Sequence, residues 1–317
     1  MDYFSHIVGQ AQVVNLLKSS IDRATINHAY IFLGPEGIGK MLTALAFAAD
    51  LLNRSDEDAH VYLKDNVHPD LLIIDKLEGK NLIGKEQISR DIEPWLALKP
   101  YRAAHRIVII KNSHLLTLEA ANALLKTLEE PPGYGVIILV ADEYNLLETI
   151  VSRCQLIRFV PVPDADIEKL LIARGYEQDK AYRAARLAHG SIATALRFIE
   201  EAEFREIWEI SRSIINDLND GQVVEVYKSA ERMEKDPELI VNMMETILRD
   251  MYIYQKTGDE KFLTIPDNLE FTKAAKHLDT VKMMTVIENL GSLKKYYRKN
   301  VNSLVINVNI TYEIWQA

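Results

Sequence analysis

The sequence predicts an α/β module built on a five-stranded parallel sheet, followed by a remainder that is helical throughout. Three observations carry that expectation. Through the first 160 residues, short apolar runs alternate with amphipathic stretches, the pattern of a parallel sheet covered on both faces. The run "AYIFL" (29–33) leads straight into the glycine-rich stretch "GPEGIGKM" (34–41), which opens a helical pattern. After "PVPD" (161–164), no strand candidate of comparable strength appears before the last helix.

In chain order, "QVVNLLKSSIDRA" (12–24) places Val13, Leu16, Leu17 and Ile21 at helical spacing. "AYIFL" reads as a buried strand and "MLTALAFAADLL" (41–52) as a helix. Further strands are expected at 71–74, 107–110, 136–140 and 156–159, with helical patterns at 84–97 and 118–128. Pro94 lies inside the first of these helices and should kink it. "LEEPP" stops the second, because proline cannot continue a helix. Beyond 161, "DADIEKLLIARG" (164–175) and "QDKAYRAARLAHGS" (178–191) are helical. Leu239, Ile240, Met243, Met244, Ile247, Leu248 and Met251 form a stripe at three- and four-residue spacing, read as core packing. "TGDEKFLTIPDNLE" (257–270) is the expected longest loop.

At 317 residues the chain has room for two or three domains and a sizeable core. Its net charge of −9 opposes polyanions, so nucleic acid would be met through a local basic patch or through partners. The single cysteine, Cys154, excludes an internal disulfide and suits a reducing cytosol. Asp2, His6, Lys18 and Asp22 interrupt the apolar N-terminal residues, unlike a signal peptide. The longest apolar run, "VIILVA" (136–141), is far below the roughly 18 residues of a membrane span. A soluble, cytoplasmic protein is expected.

"GPEGIGKM" satisfies seven of the eight positions of the phosphate-binding loop G-x-x-x-x-G-K-[ST]. Gly34, Gly37 and Gly39 let backbone N–H groups face an anion at a helix N-terminus, and Lys40 adds a point charge. Met41 stands where a hydroxyl would hold magnesium. The second metal support, an Asp at the end of a neighbouring apolar strand, is also missing. "RIVIIKNSHLL" (106–116) offers Lys111 and Asn112 there, and Lys111 is a cation that offers no lone pair to a metal and could itself occupy the metal's place. The expectation is no hydrolysis and, at most, weak binding of phosphate or sulfate. The competing readings are an autonomous ATPase with an unorthodox metal site, and a switch that binds nucleotide without hydrolysis.

"EAANALLKTLEEPP" (119–132) and "TIVSRCQLIRF" (149–159) resemble the bacterial sliding-clamp loaders of DNA polymerase III, in the AAA+ class. "HPDL" (68–71) and "LKPYRAAHRIVII" (98–110) resemble in particular the delta-prime branch of that family. "KNVNSLVINVNITYEIW" (299–315) resembles its last collar helix. The resemblance implies a RecA-like AAA+ domain over 1–160 with a degenerate phosphate loop, a helical lid over 161–202 and a helical collar over 203–317. It implies an accessory subunit of a DNA polymerase holoenzyme without catalysis of its own, in a ring joined at the collars. The implied partners are the gamma/tau ATPase subunits and the delta subunit, with the sliding clamp and primed DNA reached through the assembled ring. "SRC" (152–154) implies that Arg153 is an arginine finger offered in trans to a neighbour's ATP. A planar, permanently charged guanidinium suits the charge that grows on a transferred phosphoryl group.

The chain departs from that pattern in two places. Many relatives carry a four-cysteine zinc module before "HPDL", but 53–67 holds no cysteine, so no zinc is expected, and neither His60 nor His68 makes a site alone. In "GSIATAL" (190–196), Ala193 lies where active relatives would place an ATP-sensing arginine. Blander readings are kept for other features. Glu129 and Glu130 serve as a cap or interface and Cys154 is buried. "KKYYRK" (294–299) is a solvated helix face, and "DED" (56–58) is a surface loop.

Overall fold

A computed structural model describes residues 2–64, 67–200, 203–265, 280–298 and 301–316. Its five strands fall within a residue or two of the expected ones: β1 (Ala29–Leu33), β2 (Leu71–Ile74), β3 (Arg106–Ile110), β4 (Gly135–Ala141) and β5 (Gln155–Arg158). They form one parallel sheet in the order β2-β3-β4-β1-β5. β1, β3 and β4 are buried at every residue, which is why they read as unbroken apolar runs rather than alternating ones.

Side chains alternate across the pleat, so β1 serves two cores. Ile31 and Leu33 join Val108, Ile110, Ile137 and Leu139 on one face, against Ile88, Ile92, Leu124 and Leu128. Tyr30 and Phe32 meet Phe47 and Phe159 at ring-centroid distances of 5.2 and 5.3 Å. This packing sets the helix that carries Phe47, Lys40–Asn53, against β1 and fixes the turn between them.

The helical stretch at 85–97 differs from expectation in a way proline explains. Ile88–Ile92 is a π-turn, and Glu93–Ala97 then resumes as an α-helix with Pro94 in its first turn. A widened turn ahead of a residue that has no N–H to donate is how the chain accommodates Pro94. The helix Leu118–Glu129 opens with Thr117, whose side chain accepts from Ala120 N, and ends before Pro131.

Compactness divides the chain into two units, residues 1–170 with 190–193 and residues 171–189 with 194–317. In the second unit, helix Pro237–Thr257 is capped by Asp236, which accepts from Leu239 N, and by Gly258 at φ 65°. Its methionine stripe is core: Met243, Met244 and Met251 are buried, with Ile247 and Leu248 between them. The loop expected at 257–270 is tied down in its first part. Glu260–Phe262 forms a short 3₁₀ turn, and the buried Asp250 carboxylate accepts from Thr264 N and Ile265 N. Residues 266–270 lie outside the described residues. "KKYYRK" is partly structural: Lys294 reaches Asn242 and Glu245, and Tyr297 donates to Asn307, while Lys299 lies outside the described residues. Among the described residues, no helix is long and apolar enough to cross a membrane.

Candidate functional site

The phosphate loop lies where sequence places it, between β1 and helix Lys40–Asn53. Gly37 and Gly39 adopt φ of +77° and +97°, a region that L side chains avoid, so the loop's path depends on both glycines. The loop is turned on itself. The Lys40 side chain is only 3% exposed, and its ammonium lies 2.8 Å from Asp142 Oδ1. The same ammonium donates to Gly34 O at 2.6 Å and to Pro35 O. Asp142 follows the last residue of β4, and its backbone N–H donates to His114 Nδ1 at 3.2 Å.

A second contact closes the loop from the side of residues 190–193. Ala193 N donates to Gly37 O at 3.2 Å, and a Cβ placed on Gly37 would lie 2.1 Å from Ser191 Oγ. The segment that carries Ser191 and Ala193 therefore packs directly on the loop.

The donor set does not fit a magnesium ion at the positions the loop motif uses. Met41 offers a thioether, and Lys111 a cation. Lys111 is not drawn toward the metal's place, as the sequence suggested. Its ammonium is held 2.8 Å from Asp75 Oδ2, just beyond β2, because that carboxylate is the anion beside it. Asn112, at φ 54°, donates its amide to Asp75 Oδ1 at 2.9 Å. Burial pushes the Asp75 carboxyl up, but the hydrogen bonds from Lys111, Asn112 and Lys76 N together hold it below the usual carboxylate value.

Arg153 follows the short helix Glu148–Val151, with Arg153 N bonded to Ile150 O. Its side chain is 35% exposed; Nη2 lies 2.8 Å from Glu129 Oε1 and Nη1 donates to Thr149 O at 2.9 Å. Next to it, burial pushes the Cys154 thiol up to about 12, so it stays protonated and is no nucleophile at neutral pH.

The stretches "HPDL" and "LKPYRAAHR" meet around one buried carboxylate. Asp70 accepts from the backbone N–H of Tyr101, Arg102 and Ala103 at 2.7, 2.7 and 2.9 Å. The surface loop expected at "DED" is corrected here. Asp56 is buried, binds Arg102 through both oxygens at 2.6 and 2.9 Å, and meets His68 Nε2 at 3.1 Å. Arg102, with help from His68, outweighs burial and holds the Asp56 carboxyl well below the usual range. His68 is thus a structural hydrogen-bonding partner. Among the described residues, no group of three or more His, Cys, Asp or Glu side chains is arranged to hold a metal.

Three residues escaped the sequence reading. Asp142 left a signal, an acid directly after the apolar run "VIILVA". Glu129 as the partner of Arg153 and Asp56 as the partner of Arg102 left none, because each pairing spans separate elements.

A parallel sheet in the order β2-β3-β4-β1-β5, with a glycine-rich loop and helix after the strand next to β5, defines a RecA-like AAA+ module. Residues 9–163 match the family described as DNA polymerase III, delta subunit. The chain is 32% identical to the delta-prime subunit of DNA polymerase III from Bacillus subtilis over 208 residues, 62% of this chain and 61% of that protein. It is 32% identical to the delta-prime subunit from Pseudomonas aeruginosa over 187 residues, 55% of this chain and 56% of that protein. With the Bacillus subtilis tau subunit it shares 26% over 288 residues, 80% of this chain and 50% of that protein. The chain therefore spans about half to three-fifths of the length of these relatives. Among solved structures, it is similar to a gamma-subunit-related protein of Thermotoga maritima, with 19% identity, TM-score 0.44 and coverage of 95% of this chain and 98% of that one. Over residues 9–163 the chain is thus similar to the DNA polymerase III clamp-loader family, with delta-prime subunits among its relatives.

Proposed function

We propose that the chain is a non-hydrolysing ring subunit of a cytoplasmic clamp loader, with residues 161–202 as lid and 203–317 as collar. In this reading it docks gamma/tau ATPase subunits and a delta subunit, and offers Arg153 in trans to a neighbour's ATP. The sliding clamp and primed DNA are engaged through the assembled ring. ATP binding by the motor subunits opens the clamp, and hydrolysis assisted by Arg153 releases it on DNA.

The observation that carries this reading is the state of Lys40. The charge that would meet a phosphate is already matched by Asp142 and two loop carbonyls. An entering triphosphate would bring its charge against Asp142 and would have to displace Ala193 from Gly37 O. Without an oxygen ligand at 41 or 111, no metal is fixed to neutralise that charge. Gly34, Gly37, Gly39 and Lys40 are thus a vestigial loop with weak affinity for phosphate or sulfate at most, and zinc has no role.

Purified chain incubated with magnesium-ATP tests the first half. No turnover is expected, and a rate of order 1 s⁻¹, within the ordinary enzyme range, would establish the autonomous ATPase instead. Titration with labelled ATP separates the nucleotide-binding switch, which requires micromolar affinity. Reconstitution with gamma/tau and delta subunits tests the second half, through co-purification and the ATPase rate with and without this chain.

A further inference from the structure

Helix Leu118–Glu129 ends in a carboxylate at the end where the helix dipole is negative. A glutamate there is electrostatically misplaced unless a cation meets it. The cation is Arg153, whose Nη2 lies 2.8 Å from Glu129 Oε1. The other arm of the same guanidinium donates to Thr149 O at 2.9 Å and to Ser152 Oγ at 3.4 Å, on the turn that closes Glu148–Val151. Its own chain holds the arginine from two sides, yet the pair stays open to solvent.

We propose that Glu129 is a positioning residue that parks Arg153. It holds the guanidinium on its own chain until a neighbour's phosphate oxyanion replaces the carboxylate. The inference rests on the trans role given to Arg153 above and adds to it a partner and a release step.

The exchange is chemically conservative. Carboxylate and phosphoryl oxygens both accept from the guanidinium fork, so one anion takes the place of another and no N–H is left bare. It is also cheap, since an exposed ion pair is screened and weak, whereas one buried like Lys40–Asp142 would not release its cation. Parking has a use in the free chain as well. It satisfies a charged side chain at the surface, and it keeps the guanidinium near one orientation before the subunits meet.

The first test needs no partner. Phenylglyoxal condenses with arginine guanidinium groups, and labelling at Arg153 can be followed by peptide mass. Glu129→Gln keeps the side-chain shape and removes its charge, and thermal unfolding checks that the fold is intact. Labelling of Arg153 is expected to be about two- to fivefold faster in the variant, the factor an exposed pair sets. An unchanged labelling rate overturns the parking.

The second test uses the loader reconstituted with gamma/tau ATPase subunits. Glu129→Gln should raise the stimulated kcat by a similar factor and leave the KM for ATP unmoved. The Glu129→Gln, Arg153→Ala double variant should match Arg153→Ala alone. A kcat equal to or below that of the natural chain overturns the release step. If Arg153→Ala itself leaves the neighbour's rate unchanged, the finger reading falls and the release step with it. A faster labelling rate would then describe a surface ion pair and nothing more.

Discussion

Lys40 and Arg153 are two cations of one AAA+ module that have met opposite fates. Lys40 is buried, and its ammonium is matched at short range by a carboxylate and loop carbonyls. Arg153 is half-buried on a turn, and its carboxylate partner is half exposed. Whether a charge can act on another molecule depends on what it must give up to do so. Freeing Lys40 would strand Asp142, poorly solvated, beside the emptied loop. Freeing Arg153 returns Glu129 to water at little cost. The difference teaches that burial and pairing, not retention of a motif, set how readily a cation can be freed.

That contrast can be broken or sharpened by substitution, starting with the largest effect. Arg153→Ala should leave the chain folded and able to assemble, while the ATPase rate at the adjacent site falls by roughly 10³, the lower end for a lost arginine finger. The reconstituted loader's clamp- and DNA-stimulated rate is the measurement, and an unchanged rate would remove Arg153 from the mechanism. Asp142→Ala should do the reverse, hardly touching a neighbour but destabilising the chain by about 3–4 kcal/mol, because a buried ammonium is left without its counter-ion. Urea unfolding reads this, and replacing Lys40 with methionine in the same chain should recover much of the loss.

Asp56→Ala is expected to cost about 3 kcal/mol by the same assay, since His68 loses its carboxylate partner and Arg102 keeps only the exposed Asp58. Its pH dependence has a definite sign. The folded carboxyl is held below its unfolded value, so its contribution is present at neutral pH. That contribution is lost only as pH falls below about 3.9 toward the folded value. The acid limb of the stability curve should therefore flatten in Asp56→Asn relative to the natural chain. The smallest effect is expected from Gly37→Ala, about 1–2 kcal/mol from a strained positive φ, with Ser191 displaced. Loss of the Ala193–Gly37 contact without any gain in ATP affinity would show that Lys40–Asp142 alone keeps the loop shut.

Much of this was legible in the sequence, for local reasons. The strands at 29–33, 107–110 and 136–140 were readable because a fully buried parallel strand is an unbroken apolar run. The phosphate loop was readable because its glycines and lysine fall at fixed spacing, and Met41 and Lys111 stood out for the same reason. Pro94 marked a break in its helix, but not that a π-turn would absorb it. "DED" looked like surface because a charge run gives no sign of a distant arginine, and Arg102 lies on the loop before β3.

By itself, then, the sequence determined the strands, the loop and the residues missing from it, since each of these is written in neighbouring positions with a period or a spacing. Only the tertiary structure decided where the charges went. Lys40 turned to Asp142, Lys111 to Asp75, Arg102 to Asp56 and Arg153 to Glu129. Coulomb attraction is indifferent to sequence distance, so a cation's partner is settled by whichever carboxylate the packed elements bring within a few ångströms.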